Sequence, residues 1–167
     1  MAKYNIYGIG AAIVDTEVVV NDSFLNENEI SKGLMTLVDE GRQKYLIDSL
    51  TTQSIPVKRS CGGSACNSVV AASRFGSSAF FSGKVADDEE GVFFVKDLKH
   101  SGVDFHQVDP SNGVTGKCLV MVTPDAERTM NTNLGASLEL SYREIDETAL
   151  ANSDWLYIEG YVVTDDQ

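Results

Sequence analysis

The segment CGGSACNSVVAA, residues Cys61–Ala72, decides the fold and marks the first candidate site. It follows a β-prone run at Ile55–Ser60 and opens directly into a helix of small residues. Gly62 and Gly63 lack the Cβ atoms that would keep a ligand from the backbone, and the start of the following helix carries unpaired N–H groups and a partial positive charge. Asn67, one turn into that helix, can offer a donor and an acceptor to a polyol. The segment predicts one wall of a small-molecule site; a plain tight turn is the alternative interpretation.

Strands and helices alternate on both sides of this segment. The patterns predict strands at residues 4–10, 13–20, 33–38, 55–60, 78–82, 103–108, 117–123, 127–132 and 155–158. They predict helices, or a helix or turn for the first, at residues 22–28, 39–50, 64–75, 87–100 and 141–152. This alternation favours an α/β fold with a mostly parallel sheet covered by helices. Extra strands near 13–20, 55–60 and 104–132 predict a second, smaller sheet, and a length of 167 residues makes one domain the default.

Two stretches of the sequence mark the N-terminal ends of helices and do not indicate a metal or catalytic site. The acidic run Asp87–Glu90 begins a helix whose basic residues lie at the other end, so complementation of the helix dipole explains it better than a metal site does. Ser141 and Glu144 form a capping box, with Leu140 and Ile145 placed as a hydrophobic staple, and predict a helix that continues to about residue 152.

The first strand is followed by a segment that only begins like a dinucleotide fingerprint. In Gly8–Ile13 the third glycine is replaced by Ile13, and no helical pattern opens there. The sequence therefore disfavours a Rossmann or flavodoxin-like redox protein and predicts a second strand instead. Asp15 interrupts that strand, either as a residue of its solvent face or as a ligand-binding carboxylate.

Composition excludes several classes of partner. The formal net charge of −12 argues against nucleic acids and anionic membranes, both of which need clustered Lys and Arg. No targeting signal or membrane-length apolar run is visible, and we expect a cytoplasmic protein. The three cysteines lack zinc-ligand spacing and are expected to be buried and reduced, while neither histidine has a partner nearby in sequence.

Several spaced motifs together resemble the N-terminal half of the PfkB (ribokinase-like) carbohydrate kinases, closest to the bacterial branch named adenosine kinase or sugar kinase. The motifs are Gly8-Ile9-Gly10 with Asp15, Cys61-Gly62-Gly63-Ser64-Ala65-Cys66-Asn67, Gly83-Lys84-Val85-Ala86-Asp87-Asp88-Glu89-Glu90-Gly91, Ser101-Gly102-Val103, Thr115-Gly116-Lys117-Cys118, Asp125-Ala126-Glu127-Arg128-Thr129-Met130 and Tyr157-Ile158-Glu159-Gly160. The resemblance implies a three-layer αβα sandwich with a small β-sheet lid over the substrate. It implies lid strands near residues 13–20, 55–60 and 104–132.

The resemblance also implies roles for individual residues. Asp15 would bind sugar hydroxyls from the base of the lid. The sugar pocket would be lined by Gly62, Gly63 and Asn67, with the acidic side chain of Glu159 also in contact with the sugar. Arg128 matches a lid arginine and is the weaker candidate, for contacts near the phosphates. One departure is Ala11-Ala12, where members of the family often carry Asn or Asp.

The family implies transfer of the γ-phosphoryl group of ATP to a hydroxymethyl group of a nucleoside or sugar, with Mg²⁺ bridging the phosphates. Its second signature, a glycine-rich Asp-Thr-x-Gly-Ala-Gly-Asp segment that supplies the catalytic base, has no match here; Thr164-Asp165-Asp166 lacks the glycines. We therefore expect residues 1–167 to be the N-terminal part of one ribokinase-like domain. The C-terminal ATP-binding half is expected to lie outside residues 1–167. These residues alone should therefore not catalyse the reaction.

The substrate remains open between a nucleoside such as adenosine and the ribose, fructose or ketodeoxygluconate of other family members. A non-catalytic nucleoside-binding module is the alternative from a different functional class. Lid edges in this family commonly pair between subunits, so the resemblance also implies a possible homodimer through the lid.

Overall fold

The computed structural model describes residues 2–51, 57–106 and 108–163. The strands are β1 (Tyr4–Ile9), β2 (Ile13–Val19), β3 (Met35–Leu37), β4 (Val57–Gly62), β5 (Ala79–Ser82), β6 (Val103–Phe105), β7 (Gly116–Val122), β8 (Arg128–Asn133) and β9 (Ser153–Ile158). The α-helices are α1 (Asp22–Glu27), α2 (Glu40–Thr51), α3 (Ser64–Arg74), α4 (Glu89–His100) and α5 (Glu147–Ala151). Three short 3₁₀ helices lie at Gly135–Glu139, Tyr142–Glu144 and Gly160–Val163.

The chain divides into two units, each with its own buried core. The first unit comprises Met1–Val14, Cys61–Gly116 and Leu134–Gln167, and the second comprises Asp15–Ser60 and Lys117–Asn133. The core of the first is built from apolar side chains of α3, α4, β5 and β6, with a smaller cluster that includes Tyr4, Tyr7 and Phe80. The core of the second joins side chains of β2, α1, α2 and β7.

A four-stranded sheet in the order β6-β5-β1-β9 forms the centre of the first unit. All three pairings in it are parallel, as the alternation of strands and helices predicted. The carboxyl ends of β1 and β9 lie side by side, because Ile9 is the register partner of Ile158. Segments that leave these two strands therefore emerge together at one edge of the sheet.

A second sheet has the order β3-β8-β7-β2-β4. Its β7 and β8 form the predicted antiparallel hairpin, and the turn between them contains Ala126 at φ 65° and a hydrogen bond from Thr123 Oγ1 to Asp125 Oδ1. The expected strand at 103–108 is wrong in length and in placement, since β6 is shorter and pairs with β5 in the parallel sheet. From this part of the chain the second sheet thus takes residues 116–133, not the whole of 104–132. The expectation of a smaller second sheet is also wrong, because this sheet has five strands and the parallel sheet has four in the described residues.

Two helix predictions need correction at their N-terminal ends. The helix expected at 87–100 begins at Glu89, because the Asp88 side chain caps it by accepting from the Gly91 N–H. The helix expected over 141–152 is broken into a 3₁₀ turn and α5. The capping box of Ser141 and Glu144 is present, but Asp146 caps a new helix by accepting from the Ala149 N–H.

The remaining predicted elements agree with the structure apart from their ends. The strand expected at 33–38 is limited to 35–37, and the strand expected at 55–60 is described from Val57 and continues to Gly62. Residues 55 and 56, Gln107 and the Thr164-Asp165-Asp166 segment lie outside the described residues. As expected, β2 and not a helix follows the Gly8–Ile13 segment, and all three cysteines are buried and free.

A buried ion pair joins the loop after β5 to the 3₁₀ turn before α5. Lys84 Nζ donates to Glu144 Oε1 at 2.7 Å, and only 13% and 2% of the two side chains are exposed. Burial raises the pKa of Glu144, but the hydrogen bonds from Lys84 and Ser141 outweigh it and hold that pKa below the usual value. The pair therefore stabilises the fold above pH 4.5, and the contribution is lost as pH falls through the lowered pKa.

Replacing Lys84 with methionine should cost about 3 kcal/mol of unfolding free energy at pH 7, because Glu144 is left as a buried charge without its partner. Denaturant unfolding measures this loss. Lys44→Met is the matched control, since the pair that Lys44 makes with Asp48 is well exposed and should contribute about 0.5 kcal/mol or less. Equal losses in the two variants would contradict the importance of the buried pair.

Candidate active site at the start of α3

The turn between β4 and α3 places two residues without side chains, Gly62 and Gly63, at the carboxyl edge of the parallel sheet. Gly63 is the N-cap residue of α3 and has φ 102°, a backbone conformation that residues with a Cβ rarely adopt. A Cβ on Gly63 would lie 2.3 Å from the carbonyl oxygen of Ala11. Gly8 packs β1 against α3 in the same way, because a Cβ there would lie 2.6 Å from Val69 Cγ1. These glycines bring the loop after β1 and the first turn of α3 into direct contact.

Glu159 follows β9 and ties these segments together. Its Oε1 accepts a hydrogen bond from the Ala11 N–H at 2.7 Å, and its Oε2 accepts from the Ala65 N–H at 2.9 Å and the Ser64 hydroxyl at 2.8 Å. The residue is 5% exposed. Gly10 is needed beside it, because a Cβ on Gly10 would lie 2.5 Å from the carboxyl carbon of Glu159. The carboxylate is therefore held by the chain itself.

This arrangement changes the expectation for the start of α3. The sequence predicted unpaired N–H groups and positive charge open to a ligand, but the amide of Ala65 in the first turn is already bound to Glu159. A carboxylate at a helix N-terminus is favourable, because it neutralises the helix dipole. The role implied for Glu159, direct contact with a sugar, stays a prediction; the contacts that the structure shows for its carboxylate are to protein.

Asn67 is the side chain of this segment that is left open to a ligand. It lies one turn into α3 and is exposed, and its side chain makes no hydrogen bond with the described residues. Its amide retains both donor and acceptor capacity for hydroxyl groups. The first unit thus brings together Gly62, Gly63, Asn67 and Glu159 around the start of α3.

Asp15 and Arg128 belong to the second unit. Asp15 lies in β2, and burial raises its pKa to about 6, with Arg128 lowering it and Glu17 raising it further. Cys118 in β7 interacts electrostatically with both Asp15 and Arg128. Burial raises the pKa of its thiol to about 11, although the hydrogen bond that it accepts from the Thr132 hydroxyl lowers that pKa. Asp15 is thus a carboxylate whose ionisation is costly, as is common at functional sites.

Sequence reasoning missed three contributors to the site, namely the backbone amide of Ala11, the hydroxyl of Ser64 and the need for glycine at position 10. Gly10 and Ser64 stood inside the quoted motifs. Their part in holding Glu159 is decided by contacts across about 95 to 150 residues of chain, which no local pattern reveals.

Other clusters of polar side chains have structural explanations. Asp88 accepts hydrogen bonds from Thr115 N and Oγ1, so the acidic run at the start of α4 serves the packing of the loop before β7. Within residues 2–51, 57–106 and 108–163 no group of three or more His, Cys, Asp or Glu is arranged to hold a metal ion. In the same residues no helix has the length and hydropathy needed to cross a membrane.

A cleft of about 400 Å³ in the first unit is lined by residues that include Lys3, Tyr4, Phe80, Lys99 and Asp104. None of its lining residues belongs to the Glu159 cluster or the Gly62–Gly63 turn. It therefore offers a contrast for experiments that locate a bound ligand.

Comparisons with known proteins agree on one family. A family model described as pfkB family carbohydrate kinase matches residues 39–167. The chain is 35% identical over 103 residues to a 5-dehydro-2-deoxygluconokinase from Geobacillus kaustophilus, a match that covers 59% of this chain and 31% of that protein.

Solved structures give the same result over nearly the whole chain. A probable sugar kinase from Rhizobium etli CFN 42 superposes with a TM-score of 0.85 at 34% identity, covering 98% of this chain and 48% of the other. An adenosine kinase from Sinorhizobium meliloti superposes with a TM-score of 0.84 at 38% identity, covering 98% and 49%. The chain therefore spans about half the length of these kinases.

Proposed function

Because the chain belongs to the PfkB family of carbohydrate kinases, we propose that it supplies the substrate-binding part of an ATP-dependent kinase that phosphorylates a hydroxymethyl group of a nucleoside or sugar. The observation that carries the proposal is the Gly62–Gly63 turn at the carboxyl edge of the parallel sheet, beside the ends of β1 and β9. Ligands of open α/β sheets bind at this edge, where loops leave neighbouring strands.

The side chains support binding of a polyol. The exposed amide of Asn67 can pair with one or two hydroxyl groups, and the backbone at Gly62 and Gly63 can approach the ligand closely. We propose Asp15 as the carboxylate that accepts from sugar hydroxyls and Arg128 as the residue nearer the phosphates. Such a site rejects analogues that lack a hydroxyl, because its own polar groups would then stay unpaired.

The described residues do not by themselves fit ATP or Mg²⁺. They contain no acidic or histidine cluster suited to a metal ion, and the first-turn amide of Ala65 at the start of α3 is bound to Glu159. ATP and Mg²⁺ therefore belong to the proposal for the whole kinase, and no step of phosphoryl transfer is assigned to residues here. What this part of the protein does is bind and orient the hydroxyl that reacts.

The names of the relatives include three types of substrate. These are a nucleoside, as in the adenosine kinase, a sugar acid, as in the 5-dehydro-2-deoxygluconokinase, and a sugar phosphate, as in an ATP-dependent ribose-1-phosphate kinase. We place the nucleoside first, on the 38% identity to the adenosine kinase over nearly the whole chain.

The test is phosphoryl transfer by the whole protein that contains this chain. The purified protein is incubated with ATP, Mg²⁺ and a panel of nucleosides and sugars, and products are identified by mass spectrometry. We expect one compound to gain a phosphoryl group on its hydroxymethyl oxygen. A folded protein that binds a nucleoside but transfers no phosphoryl group to any compound would instead indicate a non-catalytic binding module.

Association of two copies through strands of the second unit stays a prediction. Val19, Met35 and Leu37 in β2 and β3 are at least 42% exposed, which is compatible with an interface on these strands. Sedimentation of the whole protein with Leu37→Glu would test it: the variant should be monomeric if these strands form the contact, and a dimer in the variant would contradict it.

A further inference from the structure

Ser137 makes two hydrogen bonds to one buried residue of the connection that leads into β2. Its hydroxyl accepts from the Ala12 N–H at 3.0 Å and donates to the Ala12 carbonyl oxygen at 3.2 Å. Ala12 is fully buried, so both of its backbone groups need partners inside the protein. Ser137 is itself only 6% exposed, and the single donor hydrogen of its hydroxyl is used in this contact. Its side chain therefore serves the backbone of the connection and not a ligand.

The 3₁₀ turn that carries Ser137 is fixed against the chain just before β7. The Ala136 N–H donates to the carbonyl oxygen of Val114 at 2.7 Å. Gly135 has φ 49°, and a Cβ there would lie 2.3 Å from the same oxygen. The turn is thus a closely packed support, from which the Ser137 side chain reaches Ala12.

Three successive amides of the connection between β1 and β2 are each bound by a different segment of the first unit. The pairs are the Gly10 N–H with the Ser82 carbonyl oxygen, the Ala11 N–H with the Glu159 carboxylate and the Ala12 N–H with the Ser137 hydroxyl. The last of these amides directly precedes β2, in which Asp15 is the third residue. Because each residue has only two soft backbone dihedral angles, holding Ala12 restricts the path of the chain three residues later.

Resting on the kinase function proposed above, we propose that Ser137 is a positioning residue of the kinase. By holding Ala12, its hydroxyl sets the path of the backbone that leads to Asp15, and with it the place at which that carboxylate meets the substrate. A binding group that is misplaced by about 1 Å can lower the rate of an enzyme about 100-fold. Loss of the Ser137 hydroxyl should therefore impair turnover, although Ser137 does not touch the substrate.

The experiment is a double-mutant cycle on the whole kinase. Steady-state kcat/KM for the substrate that the panel identifies is measured for wild type, Ser137→Ala, Asp15→Asn and the variant with both substitutions. Ser73→Ala is the matched control. The Ser73 hydroxyl, in the last turn of α3, likewise bonds the backbone of a distant segment, at the carbonyl oxygens of Ser101 and Gly102.

We expect Ser137→Ala to lower kcat/KM about 10- to 100-fold when Asp15 is present, but no more than about threefold when it is already asparagine. Ser73→Ala should leave kcat/KM within about twofold. A purely structural role for Ser137 would lower kcat/KM equally in both backgrounds. That result, or an unchanged kcat/KM in Ser137→Ala, would overturn the proposal.

A second variant and a second measurement complete the test. Should Ser137→Ala fail to fold, the cycle is repeated with Ser137→Cys, whose thiol is a weaker donor and acceptor than the hydroxyl, and the same criteria apply. Should the protein phosphorylate no compound of the panel, the kinase function fails. Calorimetric affinities of the four proteins for the panel compound that binds then decide whether Ser137 acts through Asp15, so the two failures are distinguishable.

Discussion

Replacing Gly63 with alanine should destabilise the protein by about 2 to 6 kcal/mol and remove substrate binding. At φ 102° and ψ 145° the backbone lies in a region that is essentially restricted to glycine, and a residue with a Cβ there costs about 1 to 3 kcal/mol. The new Cβ would also lie 2.3 Å from the Ala11 carbonyl oxygen, which is backbone and cannot rotate away. The protein can relieve this clash only by moving the loop after β1 or the start of α3, at a further cost of about 1 to 3 kcal/mol. Either movement disturbs the wall of the site.

Gly76 provides the matched control for this substitution. It lies just beyond the other end of α3 with φ 94°, and a Cβ there would meet no atom within 4 Å. Gly76→Ala should therefore lower the free energy of unfolding only by the cost of a non-glycine residue at positive φ, about 1 to 2 kcal/mol, and leave substrate binding intact. Unfolding in denaturant gives the free energies and calorimetry gives the affinities. Similar losses of stability in the two variants would show that close packing at Gly63 is unimportant.

Replacing Asp15 with asparagine should lower kcat/KM of the whole kinase roughly 100-fold while making the protein more stable at neutral pH. The loss of activity follows because an ionised carboxylate accepts from two hydroxyls at once, and such charge-assisted hydrogen bonds contribute about 1.5 to 3 kcal/mol. Steady-state kinetics with the identified substrate measures it. Unchanged kcat/KM would refute the role proposed for Asp15.

The gain in stability follows from the pKa of Asp15. Burial raises it from 3.8 to about 6 in the folded protein, so ionisation favours the unfolded chain and stability falls as pH rises from about 4 to about 6. Above that range the folded state carries a cost of up to about 3 kcal/mol, which asparagine removes. We therefore expect the variant to be more stable than wild type at pH 8 and equal to it below pH 4.

Thermal unfolding at pH 4 and pH 8 tests this. A variant that is less stable than wild type at pH 8 would show that Asp15 makes stabilising contacts in the folded protein that outweigh its burial. The opposed changes in activity and stability are what distinguish a ligand-binding carboxylate from a structural one.

Local sequence signals predicted most elements because those elements end with local chemistry. Gly76 and Gly102 follow the last turns of α3 and α4 at positive φ, Asp88 caps α4, and Ser141 forms its capping box with Glu144. Each of these signals acts within four residues or fewer, so a single sequence displays it.

Contacts between distant segments could not be read in this way. The pairing of β6 with β5 is set by packing of the parallel sheet. The sequence of β6 is compatible with a strand in either sheet, so it does not indicate which one β6 joins. The break before α5 depends on competition between two caps, Ser141 and Asp146. For Glu159 the resemblance indicated the position, but only the structure shows which donors hold its carboxylate.

The most direct test of the account is to locate the bound substrate by NMR. The whole protein, labelled with ¹⁵N and deuterated, is titrated with the substrate that it phosphorylates, and shifts of backbone and side-chain amide signals are mapped. The account predicts the largest shifts at Gly62, Gly63 and the side-chain amide of Asn67. Largest shifts around the cleft of Tyr4 and Asp104, with the start of α3 unaffected, would contradict it.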